Sequence, residues 1–333
     1  MKKVLSLILA LAMVFALAAC GEKQPSNGGN TDGDKPARGN VIMTFGTADT
    51  GGSMYPAGAA VSQVWTNNVQ GVKCNTQTST GSFQNCQDVS TGEVDVAVAT
   101  SDVVLNAYNG TGKFADIGKL DNLRVIGAVY TSVLSGVALK SSGLTYIHDL
   151  LGKRVAVGPA ASATENATLA AFAAMDITKD NTSLENLGLG DGADSVGDGI
   201  LDAAFGFAGL PIGGQLNLAA TKEIQVLDMT QEEIDKVLAG NAAYIQTKIP
   251  AGTYTGQDND ANTFGVKCLI IVTADMDADL VYDLCKAMNE HTEEMAAGNA
   301  LLKDMTDPSF LCTQMPIPLH DGAQKYYSEQ GLI

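Results

Sequence analysis

Residues 123–140 constrain the fold more than any other part of the chain. Arg124-Val-Ile-Gly-Ala-Val-Tyr and Ser135-Gly-Val-Ala-Leu-Lys belong to one long, strand-like, uninterrupted passage. It predicts a crossing from one domain into another. Residues 264–273 repeat this β character and predict the return crossing. Two crossings make a hinge.

Around these crossings, short apolar segments alternate with helical ones. Residues 41–46 read as a strand and 56–68 as a helix, with Pro56 at the first helical position, where its missing N–H is not needed. A strand at 72–77, a helix at 83–91, a buried strand at 94–99 and a helix at 103–109 follow. This is repeated βαβ patterning, which predicts an α/β fold. A second βα series begins at 154–157, runs through a helix at 167–175 and reaches a buried strand at 203–207. A helix over 278–297 then returns the chain to the first domain. The expected organisation is a first lobe of residues 41–133 plus 266–333 and a second lobe of 134–265. Glycines, proline and acids make 249–262 a loop.

At the other end, Lys2 and Lys3 precede an apolar run over 4–19 that closes on Leu17-Ala-Ala-Cys-Gly. The run is short for a membrane span, and the small residues before Cys20 suit a peptidase, so 1–20 reads as an export signal. The pattern resembles a lipoprotein box, which implies cleavage at Cys20 and acylation of its thiol and new amino group. Two or more acyl chains anchor stably. Residues 21–40 cannot build a core and predict a disordered, solvated tether. The expected location is extracytoplasmic, lipid-anchored to the outer face of the cell membrane.

Beyond the tether roughly 290 residues remain, enough for two domains. Without Lys2 and Lys3, 18 of the 20 basic residues face 37 acidic ones, a net charge of −19. With no basic cluster, nucleic acid is not expected as a partner. Cys74, Cys86, Cys268, Cys285 and Cys312 read mainly as small core hydrophobes, with one bridge such as Cys74–Cys86 left open. His148, His291 and His320 stand far apart without ligand spacing, so no metal site is expected. No GxSxG, HExxH or Cys/His arrangement supports an enzyme, and no cofactor is implied.

The expected strand ends carry one chemistry repeatedly: Gly, Ser, Thr and Asn ahead of a helix start. In open α/β sheets such ends face a crevice. Gly46-Thr-Ala-Asp-Thr-Gly-Gly-Ser-Met-Tyr-Pro offers backbone amides to a carboxylate, and Tyr55 adds a hydroxyl and a face. Gly46, Gly51 and Ser53 fall at phosphate-loop spacing, but Gly52 replaces the required lysine, which argues against a nucleotidase. Thr78-Ser-Thr-Gly-Ser-Phe-Gln-Asn and Thr100-Ser-Asp supply further hydroxyls. Capping a helix is the commoner role for any one of these loops, and only their repetition points to binding. Asp102 stands open between meeting an ammonium group and capping its helix. Ser162 and Glu165 fit a capping box, which makes Glu165 structural. Gly206-Phe-Ala-Gly-Leu-Pro reads as a lid or a plain turn.

In this order and spacing the loops resemble the TAXI family of solute receptors that serve tripartite ATP-independent periplasmic (TRAP) transporters. The likeness spans about 42–333. It rests on Thr47 to Pro56, Thr80-Gly-Ser with Asn85, Gly92-Glu-Val-Asp, Tyr108-Asn-Gly, Asp149-Leu-Leu-Gly-Lys-Arg-Val-Ala-Val-Gly-Pro and Pro316-Ile-Pro-Leu-His-Asp-Gly-Ala-Gln-Lys-Tyr-Tyr. It implies a two-lobed, periplasmic-binding-protein-like α/β fold of type II-like form with hinge crossover strands. It also implies capture of a small organic acid or amino acid, glutamate among them, and delivery to TRAP membrane subunits. Carried over by position, the ligand lies against Thr47, Gly52, Ser53, Tyr55, Thr80, Gly81, Ser82, Ser101 and Asp102, with Ser162 and Thr164 from the second lobe. An ABC-type receptor shares anchor, lobes and hinge, and a solute-sensing adapter for a membrane signalling protein is a further alternative.

Overall fold

The computed structural model describes residues 39–48, 50 and 52–333. Cys20, the signal, most of the tether, Asp49 and Gly51 lie outside the described residues. The first elements are β1 (Val41–Gly46), α1 (Met54–Asn68), β2 (Val72–Gln77), α2 (Ser82–Thr91), β3 (Val96–Thr100), α3 (Ser101–Asn109) and β4 (Leu123–Leu139). Next come β5 (Arg154–Ala156), α4 (Ala163–Ala173), β6 (Ser183–Glu185), α5 (Leu189–Gly197), β7 (Ala203–Ala208), α6 (Gly213–Thr221), β8 (Ile224–Val226), α7 (Gln231–Gly240) and β9 (Ile245–Ile249). The last are β10 (Ala261–Thr273), α8 (Ala278–Glu290), α9 (Thr292–Gly298), α10 (Pro308–Cys312) and α11 (Asp321–Glu329).

All strands belong to one sheet in the order β2-β1-β3-β10-β4-β7-β5-β6, with β8 added to β4 and β9 to β10. β1 pairs parallel with β2 and β3, and β5 pairs parallel with β6 and β7. β4 and β10 run antiparallel to each other and join the two parallel halves. The sequence of β3, Val-Ala-Val-Ala-Thr, is buried at every position, as a strand covered on both faces must be. Edge strand β2 buries Val72 and Cys74 while Lys73 and Asn75 face outward.

β4 and β10 are the long passages expected from the sequence. Residues 123–133 of β4 pair with β10, and 133–138 pair with β7. β10 likewise pairs with β3 through 268–271 and with β9 through 261–265. The change of partner falls at the Gly265–Val133 register. Gly265 is needed there, because a Cβ would stand 2.5 Å from the Ser132 carbonyl oxygen. Two residues on, the buried Lys267 donates its Nζ to the Phe310 and Thr313 carbonyls at 2.9 and 3.0 Å. Thr131, its register partner, donates to Asp304 at 2.8 Å. The segment after α9 thus straps both crossing strands.

The cores follow this division. One cluster holds Met43, Phe45, Trp65, Ile126, Tyr130, Ile270, Leu284 and Tyr327, and a second on the opposite face holds Val89, Val104, Phe114, Leu123 and Ile271. Two others, around Phe172, Phe205 and Phe264 and around Val196, Ala204 and Tyr254, draw on residues 133–266. Gln215 and Ser135, both buried, exchange two hydrogen bonds of 2.6 and 2.8 Å and fix α6 to β4.

Several boundaries differ from expectation for local reasons. α1 begins two residues early, at Met54, so Pro56 sits third in the first turn, where amide donors are still without intrahelical acceptors. α4 begins at Ala163 because Ser162 caps it, accepting from the Glu165 amide. The expected helix over 278–297 breaks at His291 (φ −115°, ψ 19°), whose ring is held by Glu294 at 2.9 Å. β9 starts ahead of the expected 249–262 loop, and β10 begins at Ala261 within it. The five described cysteines are free, so no Cys74–Cys86 bridge forms.

Candidate functional site

The C-terminal ends of β1, β2 and β3 come together under the second lobe. Thr47 is fully buried, and its hydroxyl and amide both donate to the Gln77 carbonyl at 2.8 Å. Its own carbonyl accepts from Ser79 Oγ and from Asn85 Nδ2. Asn85 Nδ2 also donates to the Val98 carbonyl, so one buried amide ties the ends of β1 and β3 together while Thr47 adds β2. Ser82 Oγ accepts from the Thr100 amide at 3.1 Å and lies 3.3 Å from the Thr100 hydroxyl. Thr80 is exposed, and its amide and hydroxyl both donate to Gln84 Oε1. Gly81 precedes α2 at φ +113°, a conformation that favours glycine. Gly52, Ser53 and Tyr55 are partly exposed around the start of α1.

Asp102 is fully buried. The cap position of α3 belongs to Thr100, and Asp102 sits at the second helical residue with its carboxylate turned toward the second lobe. Its Oδ2 accepts from Asn166 Nδ2 of α4 at 2.9 Å and from the Tyr244 hydroxyl at 3.4 Å. Oδ1 is buried without a hydrogen-bond partner among the described residues. Burial pushes this carboxyl above the usual carboxylate range, opposed by the Thr100 hydroxyl, the Val103 amide, Asn166 and Tyr244. Burial also pushes the Tyr244 phenol up, with Asp102 adding to it. Ser101 Oγ reaches the Ala243 carbonyl at 3.5 Å.

Across the same seam Lys113 Nζ meets Glu165 Oε2 at 2.9 Å. Burial acts to raise the Glu165 carboxyl but is outweighed by Lys113, the Ala161 amide and Asn186, which hold it below its ordinary value. Ser162 accepts from the Glu165 amide at 3.1 Å, which is one half of the expected capping box; the other half does not form, because the Ser162 amide goes to the Pro159 carbonyl and the Glu165 carboxylate takes the Ala161 amide and Lys113. Glu165 is therefore both cap and cross-seam partner. Thr164 is buried and accepts from the Phe207 amide at 3.2 Å.

Ser162, Ala163 and Asn166 face Phe83, Val103, Asn106, Lys113 and Phe114 over a cavity of only about 20 Å³, room for about one water. The two sides meet along this line. Beside the crossing strands a groove of about 510 Å³ stays open between Leu210, Pro211, Ile245 and Thr247 and the strap residues Leu301, Lys303 and Asp304. That volume lies within the range of small-ligand sites.

Sequence reasoning placed the strand-end loops together but missed Asn166, Tyr244 and Lys113. Asn166 had a signal, since it stands four residues after Ser162 and shares its helix face. Tyr244 had none, because β9 has no sequence pattern that separates it from the loop after it.

The model of the NMT1-like family matches residues 45–331. The chain belongs to the NMT1-like family. Its fold is similar to that of a Bordetella bronchiseptica RB50 protein, with 12% identity over 87% of this chain and 98% of that one and a TM-score of 0.50. It is also similar to the alkanesulfonate-binding protein SsuA from Xanthomonas axonopodis pv. citri bound to MOPS, with 14% identity over 88% and 85% of the two chains and a TM-score of 0.49. The substrate-binding protein of an amino acid ABC transporter shares 15% identity over 80% of this chain and 98% of that chain, with a TM-score of 0.45. Identities this low speak to fold alone, and the fold of this family member is a two-lobed, type II-like α/β architecture. Among the described residues no helix is long and apolar enough to cross a membrane. Nor do the described residues bring together three or more His, Cys, Asp or Glu side chains able to hold a metal ion.

Proposed function

We propose that the chain is an extracytoplasmic solute receptor, without enzymatic activity, that closes two lobes on a small carboxylate and delivers it to a membrane permease. The lobes are residues 41–133 plus 266–333 and residues 134–265, and Cys20 carries the lipid anchor. The ligand is glutamate or a related amino or oxo acid, held by Gly52, Ser53 and Tyr55 around the start of α1, Thr80, Gly81 and Ser82 at the start of α2, Ser101 and Asp102 after β3, and Ser162 and Thr164 at the start of α4. Thr47 supports this set by tying β1 to β2. The observation that carries the reading is the meeting of three hydroxyl-bearing strand ends with the start of α4, across a seam bridged by Asp102–Asn166 and Lys113–Glu165.

The permease is of the TRAP type on the strength of the motifs quoted from the sequence. An ABC importer is the second reading, since the same anchor, lobes and hinge serve it equally. Crosslinking in the native membrane separates the two by the permease recovered.

The solute test is thermal unfolding of the chain from Arg38 onward, which forms one compact unit, with and without glutamate, glutamine, 2-oxoglutarate and other small acids. A ligand that binds only the folded state raises the midpoint by mass action, about 2.7 kcal/mol of stability at a hundredfold excess over Kd. A saturable rise that is lost in Ser53→Ala or Tyr55→Ala supports the receptor. No rise across the panel refutes the solute class.

A further inference from the structure

Both groups that hold Asp102 Oδ2 come from the second lobe, Asn166 on α4 and Tyr244 ahead of β9. Lobe closure therefore completes the burial of this carboxylate. With the lobes apart, the Thr100 hydroxyl and Val103 amide of the first lobe still support the carboxylate, and the side that meets Asn166 and Tyr244 opens to water. With them together, Oδ1 is buried while both donors from the second lobe go to Oδ2. The groups around it are the Thr100 hydroxyl, the Val103 amide, Asn166, the Tyr244 phenol and, further off, the Cys86 and Cys268 thiols. None is a cation. Lys113, the cation that crosses this seam, is already paired with Glu165.

A buried carboxylate oxygen left without a donor opposes the closed state strongly. Closure becomes favourable when something brings a donor in, and a positively charged nitrogen is the strongest that a small solute can offer. We infer that Asp102 makes closure depend on a protonated nitrogen in the solute, so that amino acids are bound and their oxo or deamino counterparts are rejected. This rests on the solute-receptor reading above and narrows it to solutes that carry an ammonium or comparable N–H⁺ group. Asn166 and Tyr244 act as positioning residues, holding Oδ2 so that Oδ1 is presented to the ligand.

The test uses matched pairs on the chain from Arg38 onward: L-glutamate with 2-oxoglutarate, L-alanine with pyruvate, and L-leucine with 4-methyl-2-oxopentanoate. Affinities are measured by titration calorimetry at pH 7. One amino member should bind at least tenfold more tightly than its oxo counterpart, as expected for a charge-assisted bond to a buried group worth about ten- to 150-fold. Asp102→Asn, which keeps the side-chain shape, should remove that preference with the melting midpoint of the free chain retained. Asn166→Ala should weaken both members of the pair and keep the preference.

An oxo acid that binds as tightly as its amino partner, or a preference that survives Asp102→Asn, overturns the assignment and leaves the receptor reading standing. Oxo-acid binding that tightens as pH falls, and does so only with Asp102 present, also overturns it, since a proton then serves as the donor. Binding by no member of any pair overturns the assignment and the small-acid reading together.

Discussion

Replacing Gly209 with alanine should wedge the lobes apart without damage to either. Gly209 follows β7 in the second lobe. A Cβ there would overlap Leu301 Cδ1 and stand 3.3 Å from the Tyr130 ring, and its three nearest atoms all belong to the first lobe. Overpacking in a tight site usually costs about 1–3 kcal/mol. The Leu301 tip can swing toward the open groove it lines, which places the effect at the lower end, about 1 kcal/mol. That penalty falls on any arrangement that keeps Gly209 against Leu301 and Tyr130. Solute affinity should therefore drop about fivefold, while the melting midpoint of the free chain changes little. Titration calorimetry reads the affinity, and small-angle scattering reads the opening as a larger radius of gyration. Leu301→Ala in the same chain should restore binding by removing the overlapping atom. An unchanged affinity in Gly209→Ala, or a loss that Leu301→Ala does not repair, would refute the claim that this contact belongs to the closed state.

Two further outcomes follow from the electrostatics and the thiols. Asp202 accepts from the Arg154 side chain at 2.8 and 3.2 Å and from its amide at 2.8 Å, contacts that hold its carboxyl below the usual value of 3.8. A depressed carboxyl contributes stability that is present above the unfolded pKa and lost as pH falls through the folded one. Arg154→Met should thus flatten the fall in melting midpoint below about pH 4, and an unchanged slope would show that the pair carries no linkage. Burial pushes the Cys74 thiol up to about 11 and Cys268 up to about 12, and all five described cysteines are buried and free. A chain beginning at Arg38 should therefore show no fast-reacting thiol when native and five after denaturation, with a midpoint that ignores reductant. A reductant-sensitive midpoint would contradict this.

The parts of the fold legible in the sequence are those where local pattern and burial agree. β1 and β2 run over the expected residues because continuous burial or clean alternation leaves one reading, and the crossing strand β4 ends within one residue of it. Short elements of the second lobe were not legible. β6 and β8 are three residues each and exist only through pairing with β5 and β4. α5 opens with Leu-Gly-Asp-Gly and α6 with Gly-Gly, sequences of poor helix propensity that tertiary packing overrides. The candidate site divides the same way. Loops with hydroxyls and glycines could be recognised one by one, whereas Asp102–Asn166 and Asp102–Tyr244 join residues 64 and 142 apart and come from closure alone. Glu165 shows how a local motif can be half right, since its amide is capped by Ser162 while its carboxylate leaves the capping box for the Ala161 amide and Lys113.

Trp65, the only tryptophan in the chain, is fully buried, stacks on Phe45 at 5.5 Å and donates its indole N–H to the Leu284 carbonyl. The protein thus carries a built-in optical label confined to one half of the molecule. Its emission should be that of a dry indole and should report the integrity of the β1–α1–α8 core, while residues 134–265 remain dark in the same spectrum. Denaturation followed by this signal and by far-ultraviolet circular dichroism therefore weighs the two halves separately. Coincident curves mean that the crossing strands couple them into one cooperative unit, and separated curves mean that the hinge is also a boundary of folding.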